Sequence, residues 1–437
     1  MDTIDYATYC PDFHSRVIAG RIPLTGTIEV TRRCPQSCLH CYNNLPMNDS
    51  PARVSELSFA EHCRLLDAIA DAGCLWLLYT GGEVFARPDF LDIYIHAKKA
   101  GLIITLFSNG TLITPQVADC LVEWKPFSIE ITIYGSTRET YERLTGTPGS
   151  YDRCLRGIDL LLERKLPLRL KTVAVSTNRH EIWHIKRFAE DLGLEFKFDS
   201  MINPRIDCSQ SPLAVRLSPE EVVQLDLLDP VRVWSWRRFV ERFGGPAHRP
   251  EDRDGTYHCG AGIDSFFIDP QGRMSLCSLS HASAFDLRHG SFKEAWEGII
   301  REERQRKATR VTKCTSCEIK SMCGMCPANA ELEAGDPELP VDFLCHVAHL
   351  RALALGFAVP PHGPCEYCAN GTKHEALVQS LALLRERGES RVPPFTISEN
   401  DGRILSMLNR EGTGALGGCG SECDPTALES RSGHQRN

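Results

Sequence analysis

From residue 27 to about residue 200, short β-branched or apolar runs alternate with longer amphipathic stretches. Such a chain is confined to parallel strands joined by crossover helices, because a parallel pair needs a long connection and a helix supplies it. Strands are predicted at 27–31, 75–79, 103–107, 127–133, 168–175 and 194–199, and helices at 58–72, 87–100, 115–124, 151–165 and 179–192. Ser58 followed by Glu61 predicts a capping box, and Asp71-Ala-Gly73 and Lys99-Ala-Gly101 place glycine where helices end. Six such strands give an α/β fold, a partial (β/α)6 barrel of the TIM type, with chemistry at the carboxyl ends of the strands.

The 437 residues allow two or three domains. Residues 1–26 read as an amino-terminal segment, 27–205 as the barrel and 206–256 as a bridge with one helix. Residues 257–368 read as a small Cys-rich domain, and 369–437 as a helix over 373–387 followed by a Gly- and Ser-rich tail. No internal repeat is visible. The net charge of −8 speaks against a nucleic-acid surface, which needs clustered cations. No apolar run approaches the roughly 18 residues of a membrane helix, and the start lacks the basic-then-apolar order of a secretory signal. The expectation is a cytoplasmic protein with no nucleic-acid or membrane partner.

Twenty cysteines in a reducing compartment point to metal ligands or reactive thiols rather than disulfides. Cys34, Cys38 and Cys41 form one tight group. Cys259 and Cys277 precede a second, Cys314, Cys317, Cys323, Cys326 and Cys345. Cys365, Cys368, Cys419 and Cys423 form a looser third. Cys10, Cys63, Cys74, Cys120, Cys154 and Cys208 stand singly and read as small buried hydrophobes.

Cys34-Pro-Gln-Ser-Cys38-Leu-His-Cys41 directly follows the first predicted strand, with Tyr42 beside the last cysteine. Three thiolates in eight residues suit an iron–sulfur cube with one iron left open, whereas a structural zinc site wants four closed ligands. This CxxxCxxC segment resembles the signature of the radical S-adenosylmethionine (radical SAM) superfamily. The resemblance implies a [4Fe-4S] cluster on Cys34, Cys38 and Cys41 that binds and reductively cleaves S-adenosyl-L-methionine. The 5'-deoxyadenosyl radical so formed abstracts hydrogen from an unactivated C–H bond. Further positions match in order. Gly81-Gly82-Glu83 follows the second strand, where the family's turn approaches the methionine end of the cofactor and its acid meets the amino group. Ser108 and Asn109 close the third strand, and Thr132 and Lys171 lie on the fourth and fifth, where the family places polar contacts to ribose and amino acid. Read alone, Thr132 is equally a β-former and Lys171 a solvated charge.

The second cysteine set resembles the SPASM domain, an auxiliary-cluster domain of radical enzymes that modify peptides and proteins. Cys259 is followed by Gly272-Arg-Met-Ser-Leu-Cys277, then Cys314-Thr-Ser-Cys317, Cys323, Cys326 and Cys345. The resemblance implies one or two auxiliary iron–sulfur clusters. Cys314, Cys317, Cys323 and Cys345 would hold the outer one, and Cys259, Cys277 and Cys326 the inner. Only Gly324 and Met325 separate Cys323 from Cys326, a departure from the family spacing. The inner set has three thiols, so its fourth position is open to substrate, filled by a residue such as His258, or absent from a smaller cluster. A zinc ribbon is the competing reading, and five cysteines between 314 and 345 fit four-ligand zinc poorly. Cys365-Glu-Tyr-Cys368 closes the domain or binds metal, and Cys419 and Cys423 read as free thiols, a redox pair or part of a fused substrate.

The run Ile129-Glu-Ile-Thr-Ile-Tyr-Gly-Ser136, followed by Thr145-Gly-Thr-Pro-Gly-Ser-Tyr151, resembles the peptide-maturase branch. The expected activity is therefore hydrogen abstraction from a peptide or protein substrate, as in a ribosomal-peptide maturase. The sulfatase-maturing branch carries an Asp directly after the cysteine of Gly-x4-Cys, and here that position is Ser278. Sulfatase maturation, tetrapyrrole side-chain modification and a non-enzymatic electron-transfer protein are the alternatives. Residues 1–26 leave no room for a leader-recognition domain, so the leader is expected to be presented by a separate leader-binding protein or contacted through edges of the barrel and tail, with a low-potential donor such as a flavodoxin or ferredoxin. No catalytic side chain is assigned.

Overall fold

The computed structural model describes residues 6–243, 255–280 and 283–390. Six parallel strands run in sequence order: β1 Thr25–Glu29, β2 Trp76–Thr80, β3 Ile103–Ser108, β4 Ser128–Thr132, β5 Leu168–Val173 and β6 Phe196–Asp199. Each pairs with the next, from Thr25 opposite Trp76 through Val173 opposite Asp199. The sheet does not stop at β1. Strands β7 Ser265–Ile268, β8 Arg273–Ser275 and β9 Phe285–Asp286 extend it in the order β9-β8-β7-β1-β2-β3-β4-β5-β6. Strand β7 lies parallel to β1, with Thr25 opposite Ser265 and Ile28 opposite Ile268. The division drawn at residue 256 therefore does not separate two sheets: the start of the Cys-rich region is the far edge of the barrel sheet.

The crossovers are helices α2 Phe59–Asp71, α3 Phe90–Lys99, α4 Pro115–Glu123, α6 Ser150–Glu163 and α7 Ile182–Asp191. Helix α2 begins at the capping box, with Ser58 accepting from the Glu61 N–H and the Glu61 carboxylate accepting in return. Several helices depart from the reading of the sequence, among them a short one at Ser50–Ser55 and those between residues 292 and 354. Helix α1 Tyr6–Ala19 occupies the amino-terminal segment, α5 Arg138–Thr145 precedes α6, and the bridge holds two helices, α8 Pro219–Leu227 and α9 Pro230–Phe243.

Alternation along the strands sorts the two faces of the sheet. Leu77, Tyr79, Ile104, Leu106, Ile129 and Ile131 enter one core with Leu66, Ile93, Leu121 and Ile158 of the helices. On the opposite face Thr132, Lys171, Lys197 and Asp199 take the intervening positions. A second core joins α8 to helices α13 Asp342–Ala354 and α14 His374–Ser390 through Val222, Leu350 and Leu377. Between β9 and α13 lie α10 Phe292–Glu297, α11 Ile299–Arg304 and α12 Pro327–Ala334. Among the described residues, no helix is long and apolar enough to cross a membrane.

Candidate active site and cysteine clusters

Strand β1 runs directly into the first cysteine group. Arg33–Cys34 pairs with Leu45–Pro46, which closes the intervening chain into a loop at the strand's carboxyl end. Beneath the loop lies a buried ion pair: Arg33 Nε and Nη2 donate to the two Glu56 oxygens at 2.9 and 3.0 Å, and Thr31 Oγ1 adds a bond at 2.5 Å. Tyr42, the aromatic beside Cys41, turns inward, and its hydroxyl donates to Glu29 at 2.8 Å. Arg205 donates to the Cys41 carbonyl at 3.1 Å and to Asn44 Oδ1 at 2.9 Å. The far side is braced by the end of α5. Ser37 N–H donates to the Thr145 carbonyl at 2.8 Å, Leu39 N–H to Leu144 at 3.0 Å, and Thr147 Oγ1 to Pro35 at 3.3 Å.

The three thiols lie close enough for their charges to act on one another. Burial pushes Cys34 up to about 12, with a further push from Glu83. Cys38 rises for the same reason, then from the charges of Cys41 and Cys34. Beside them opens a pocket of about 380 Å³ lined by Gln36, Cys38, Cys41, Arg205 and Val215, among others.

The Gly81-Gly82-Glu83 turn at the end of β2 is pressed against the strand that leads to Cys34. Gly82 N–H donates to Thr31 O at 2.7 Å and Glu83 N–H to Arg33 O at 3.1 Å. A Cβ on Gly81 would strike the Thr31 carbonyl, and one on Gly82 would lie 2.6 Å from Arg33 O and nearer still to Arg32 O. Both glycines are thus demanded by backbone-on-backbone contact with the cysteine strand. Glu83 is buried, accepting from Ser108 Oγ at 2.8 Å and from Asn109 N–H at 2.7 Å. Burial raises it to about 7 despite these bonds. Asn109 Nδ2 in turn reaches Cys34 Sγ at 3.5 Å.

Thr132 and Lys171 stand opposite each other in the β4–β5 register. Lys171 Nζ lies 3.3 Å from the Glu130 carboxylate, which Lys197 also meets at 2.9 Å. Burial brings Lys171 down to about 7. Of the sequence candidates, Gly81, Gly82, Glu83, Ser108 and Asn109 thus gather at the cysteine loop. Lys171 instead belongs to a charge cluster with Glu130 and Lys197. Arg33, Glu56 and Arg205 support the loop without having been singled out, and Thr145, quoted only as part of a family-like run, supports it through its carbonyl. The pair Thr145-Gly146 carried the one available signal, a helix-ending glycine.

The later cysteines divide into two neighbourhoods. Burial raises Cys326 to about 11, and Cys277 and Cys259 are close enough to add to the rise. Burial likewise takes Cys323 to about 12, with added pushes from Cys314 and Cys317, and Cys345 is raised by burial and then by Cys323, Cys365 and Cys314. Lys313 opposes the rise at Cys345. The shortened spacing works because Gly324 takes the left-handed conformation, φ +72°, and turns the chain between Cys323 and Cys326. Cys326 then caps α12, accepting from Asn329 N–H at 3.4 Å. His258 is exposed beside an exposed Cys259. Of the single cysteines, Cys74 and Cys154 are buried, whereas Cys208 is exposed in a turn at φ +64°. Cys419 and Cys423 lie outside the described residues.

Residues 28–191, from β1 to the end of α7, match the Radical SAM superfamily. The chain is 28% identical over 327 residues to an AdoMet-dependent heme synthase of Methanosarcina barkeri, covering 70% of this chain and 92% of that protein. It is 26% identical over 339 residues to a PqqA peptide cyclase of Rhodopseudomonas palustris, covering 72% and 85%. Among solved structures it resembles Streptococcus suis SuiB bound to its precursor peptide SuiA, with a TM-score of 0.58 at 17% identity over 76% of this chain and 79% of that one. Residues 28–191 thus form a domain that matches the Radical SAM superfamily, with three cysteines on the loop after β1 and the six-stranded parallel series inside the matched span or at its edge.

Proposed function

We propose that the protein is a radical SAM peptide maturase, abstracting hydrogen from a peptide or protein substrate with S-adenosyl-L-methionine as the radical source. The observation that carries this reading is the placement of Cys34, Cys38 and Cys41 on one strand-end loop against the Gly81-Gly82-Glu83 turn. The donor set fits a cluster: three neighbouring thiols on one loop, with Asn109 Nδ2 and Gln36 N–H directed at Cys34 Sγ from 3.5 and 3.4 Å. When bound, the cluster and S-adenosyl-L-methionine supply the one-electron cleavage that generates the hydrogen-abstracting radical. The protein's own part is to bind, orient and exclude water. In this reading Glu83 takes the cofactor's ammonium, Gly81 and Gly82 let the chain approach it, and Ser108 and Asn109 fix the Glu83 carboxylate. Thr132 and Lys171 contribute from the polar face of the sheet. Cys314, Cys317, Cys323 and Cys345 hold one auxiliary cluster, and Cys259, Cys277 and Cys326 a second with a free position. A low-potential flavodoxin or ferredoxin supplies electrons, a separate protein presents the leader, and the enzyme works in the cytoplasm.

The peptide reading is supported by the similarity to a peptide cyclase and by the SuiB-like fold. The similarity to heme synthases supports a second substrate class, a tetrapyrrole side chain. One assay separates them. Anaerobic holoprotein, dithionite and S-adenosyl-L-methionine are incubated with a ribosomally made precursor peptide, or with a tetrapyrrole bearing propionate side chains. The expected result is a peptide lighter by a pair of hydrogens, with 5'-deoxyadenosine formed in step. Turnover confined to the tetrapyrrole would overturn the peptide assignment. Formation of 5'-deoxyadenosine by a Cys34→Ala/Cys38→Ala/Cys41→Ala variant would overturn the cofactor site.

A further inference from the structure

A third group of metal-ligating side chains, distinct from the ligand sets of the proposed function, adjoins the outer cysteine neighbourhood, where Cys345 Sγ lies 3.8 Å from His349 Nδ1. His349 sits on α13, one turn after Cys345, and His362, Cys365 and Cys368 lie on the segment that follows that helix. All four are buried, and one nitrogen or sulfur from each lies within 4.8 Å of the other three. Cys365 Sγ is 3.3 Å from His349 Nε2, and Cys368 Sγ is 3.9 Å from it. Cys368 Sγ is also 3.3 Å from His362 Nδ1 and 4.0 Å from its Nε2. The two imidazoles stack with centroids 5.6 Å apart.

These separations are near, and some a little beyond, those of donors around a single ion. Tetrahedral zinc, with bonds of about 2.3 Å to sulfur and about 2.0–2.1 Å to nitrogen, spaces its ligand atoms by roughly 3.3–3.8 Å. An iron–sulfur cube puts each thiolate on its own iron and so spreads its ligands more widely. Among the described residues, this is the one group of His, Cys, Asp or Glu side chains with all its donor atoms so close together.

The surroundings set the ring nitrogens for the task. His349 Nδ1 is 2.7 Å from the Cys345 carbonyl, an acceptor only, so Nδ1 carries the proton and Nε2 presents its lone pair to Cys365 and Cys368. His362 Nδ1 lies 2.9 Å from the Pro360 carbonyl, which leaves Nε2 as the ligand atom there. Glu366 and Tyr367, between the two cysteines, anchor the turn. Glu366 accepts from Lys313 Nζ at 2.6 Å, and the Tyr367 hydroxyl donates to Asp342 at 3.1 Å.

We propose that His349, His362, Cys365 and Cys368 bind one zinc ion in a closed tetrahedral site. Binding converts the two thiols to thiolates, releases two protons and leaves the centre without net charge. No position stays open for water or substrate, so the ion is structural. It clamps the segment around Cys365 onto α13 and thereby fixes the turn of α13 that carries Cys345.

The test uses the full-length holoprotein expressed with iron and zinc present. Metal analysis should find about one zinc per chain beside the iron and sulfide, and zinc-edge X-ray absorption should show two sulfur and two nitrogen neighbours. A Cys365→Ser/Cys368→Ser variant should lose the zinc while keeping acid-labile sulfide. Three results would overturn the site: iron-loaded protein without zinc, zinc surrounded by four sulfurs, or a double variant that keeps its zinc. The absorption measurement needs no variant, so a double variant that misfolds does not shelter the proposal.

Discussion

The backbone N–H of Asn109 donates to the Glu83 carboxylate at 2.7 Å, joining the end of β3 to the turn after β2. The same residue's side-chain amide reaches Cys34 Sγ at 3.5 Å. Acid and thiol are thus held by one residue. Changing Glu83 to Gln removes the charge and keeps one acceptor oxygen, which can still take the Asn109 N–H while the new amide faces the Ser108 hydroxyl, itself able to accept. A carboxylate facing an ammonium is worth about 1.5–3 kcal/mol, so S-adenosyl-L-methionine should bind roughly 10- to 150-fold more weakly. Equilibrium binding to the anaerobic variant at unchanged iron content checks this, and wild-type affinity would remove Glu83 from the cofactor site.

Gly82→Ala places a methyl group against the Arg32 and Arg33 carbonyls, which are strand backbone and cannot swing aside. Overpacking of this kind costs about 1–3 kcal/mol. The displacement falls on the residue before Cys34. The variant should melt lower and reconstitute less iron on the first cluster, while a Gly193→Ala control, with open space around its Cβ, keeps its iron. Equal iron content in the two proteins would count against a packing role for Gly82.

Glu56→Ala leaves the Arg33 guanidinium buried without its bidentate partner, and Arg87 loses a carboxylate 3.7 Å away. Removing one member of a buried pair costs about 3–5 kcal/mol. Denaturant unfolding should show a fall of that order. A loss below about 1 kcal/mol would mean that water reaches the pair and treats it as a surface one.

Lys171 is held down to about 7 by burial against its ordinary 10.5. Between those values the unfolded chain binds the proton and the folded chain does not, so this residue makes stability rise with pH across the window and adds no slope below it. Lys171→Met should flatten the rise. Unfolding midpoints of both proteins across that range measure it, and parallel curves would show that Lys171 stays charged beside Glu130.

The six barrel strands were legible because alternation is local. Leu77 and Tyr79, or Ile104 and Leu106, mark the helix-facing side within a single run. Strand β7 was not, because Ser265–Ile268 is a short run whose partner, Thr25–Ile28, lies far away in sequence. Helix α1 was hidden by Pro11, which reads as an interruption inside Tyr6–Ala19. Ser218 and Glu221 form a capping box at the start of α8, a local signal in the sequence that was not singled out. The gathering of Glu83, Ser108 and Asn109 followed from their strand-end positions. The Arg33–Glu56 pair carried no such mark, since charged residues 23 positions apart give no periodic signal. Of the His349 group, Cys365 and Cys368 were marked as possible metal ligands, whereas the histidines were silent, His349 sitting in an ordinary helix 16 residues before Cys365.

The insertion of β1 between β2 and β7 governs the order of assembly during synthesis. Strand β2 is available early, but the other edge of β1 stays uncovered until the ribosome has made residue 268. An exposed edge strand invites pairing with other chains, and a nascent barrel waiting for its last neighbour is at its most vulnerable then. A fragment ending before Ser265 keeps that exposure permanently. Such fragments should aggregate even when every residue matched to the superfamily is present, and the first cluster would have to be installed on a scaffold whose cysteine strand is only half held.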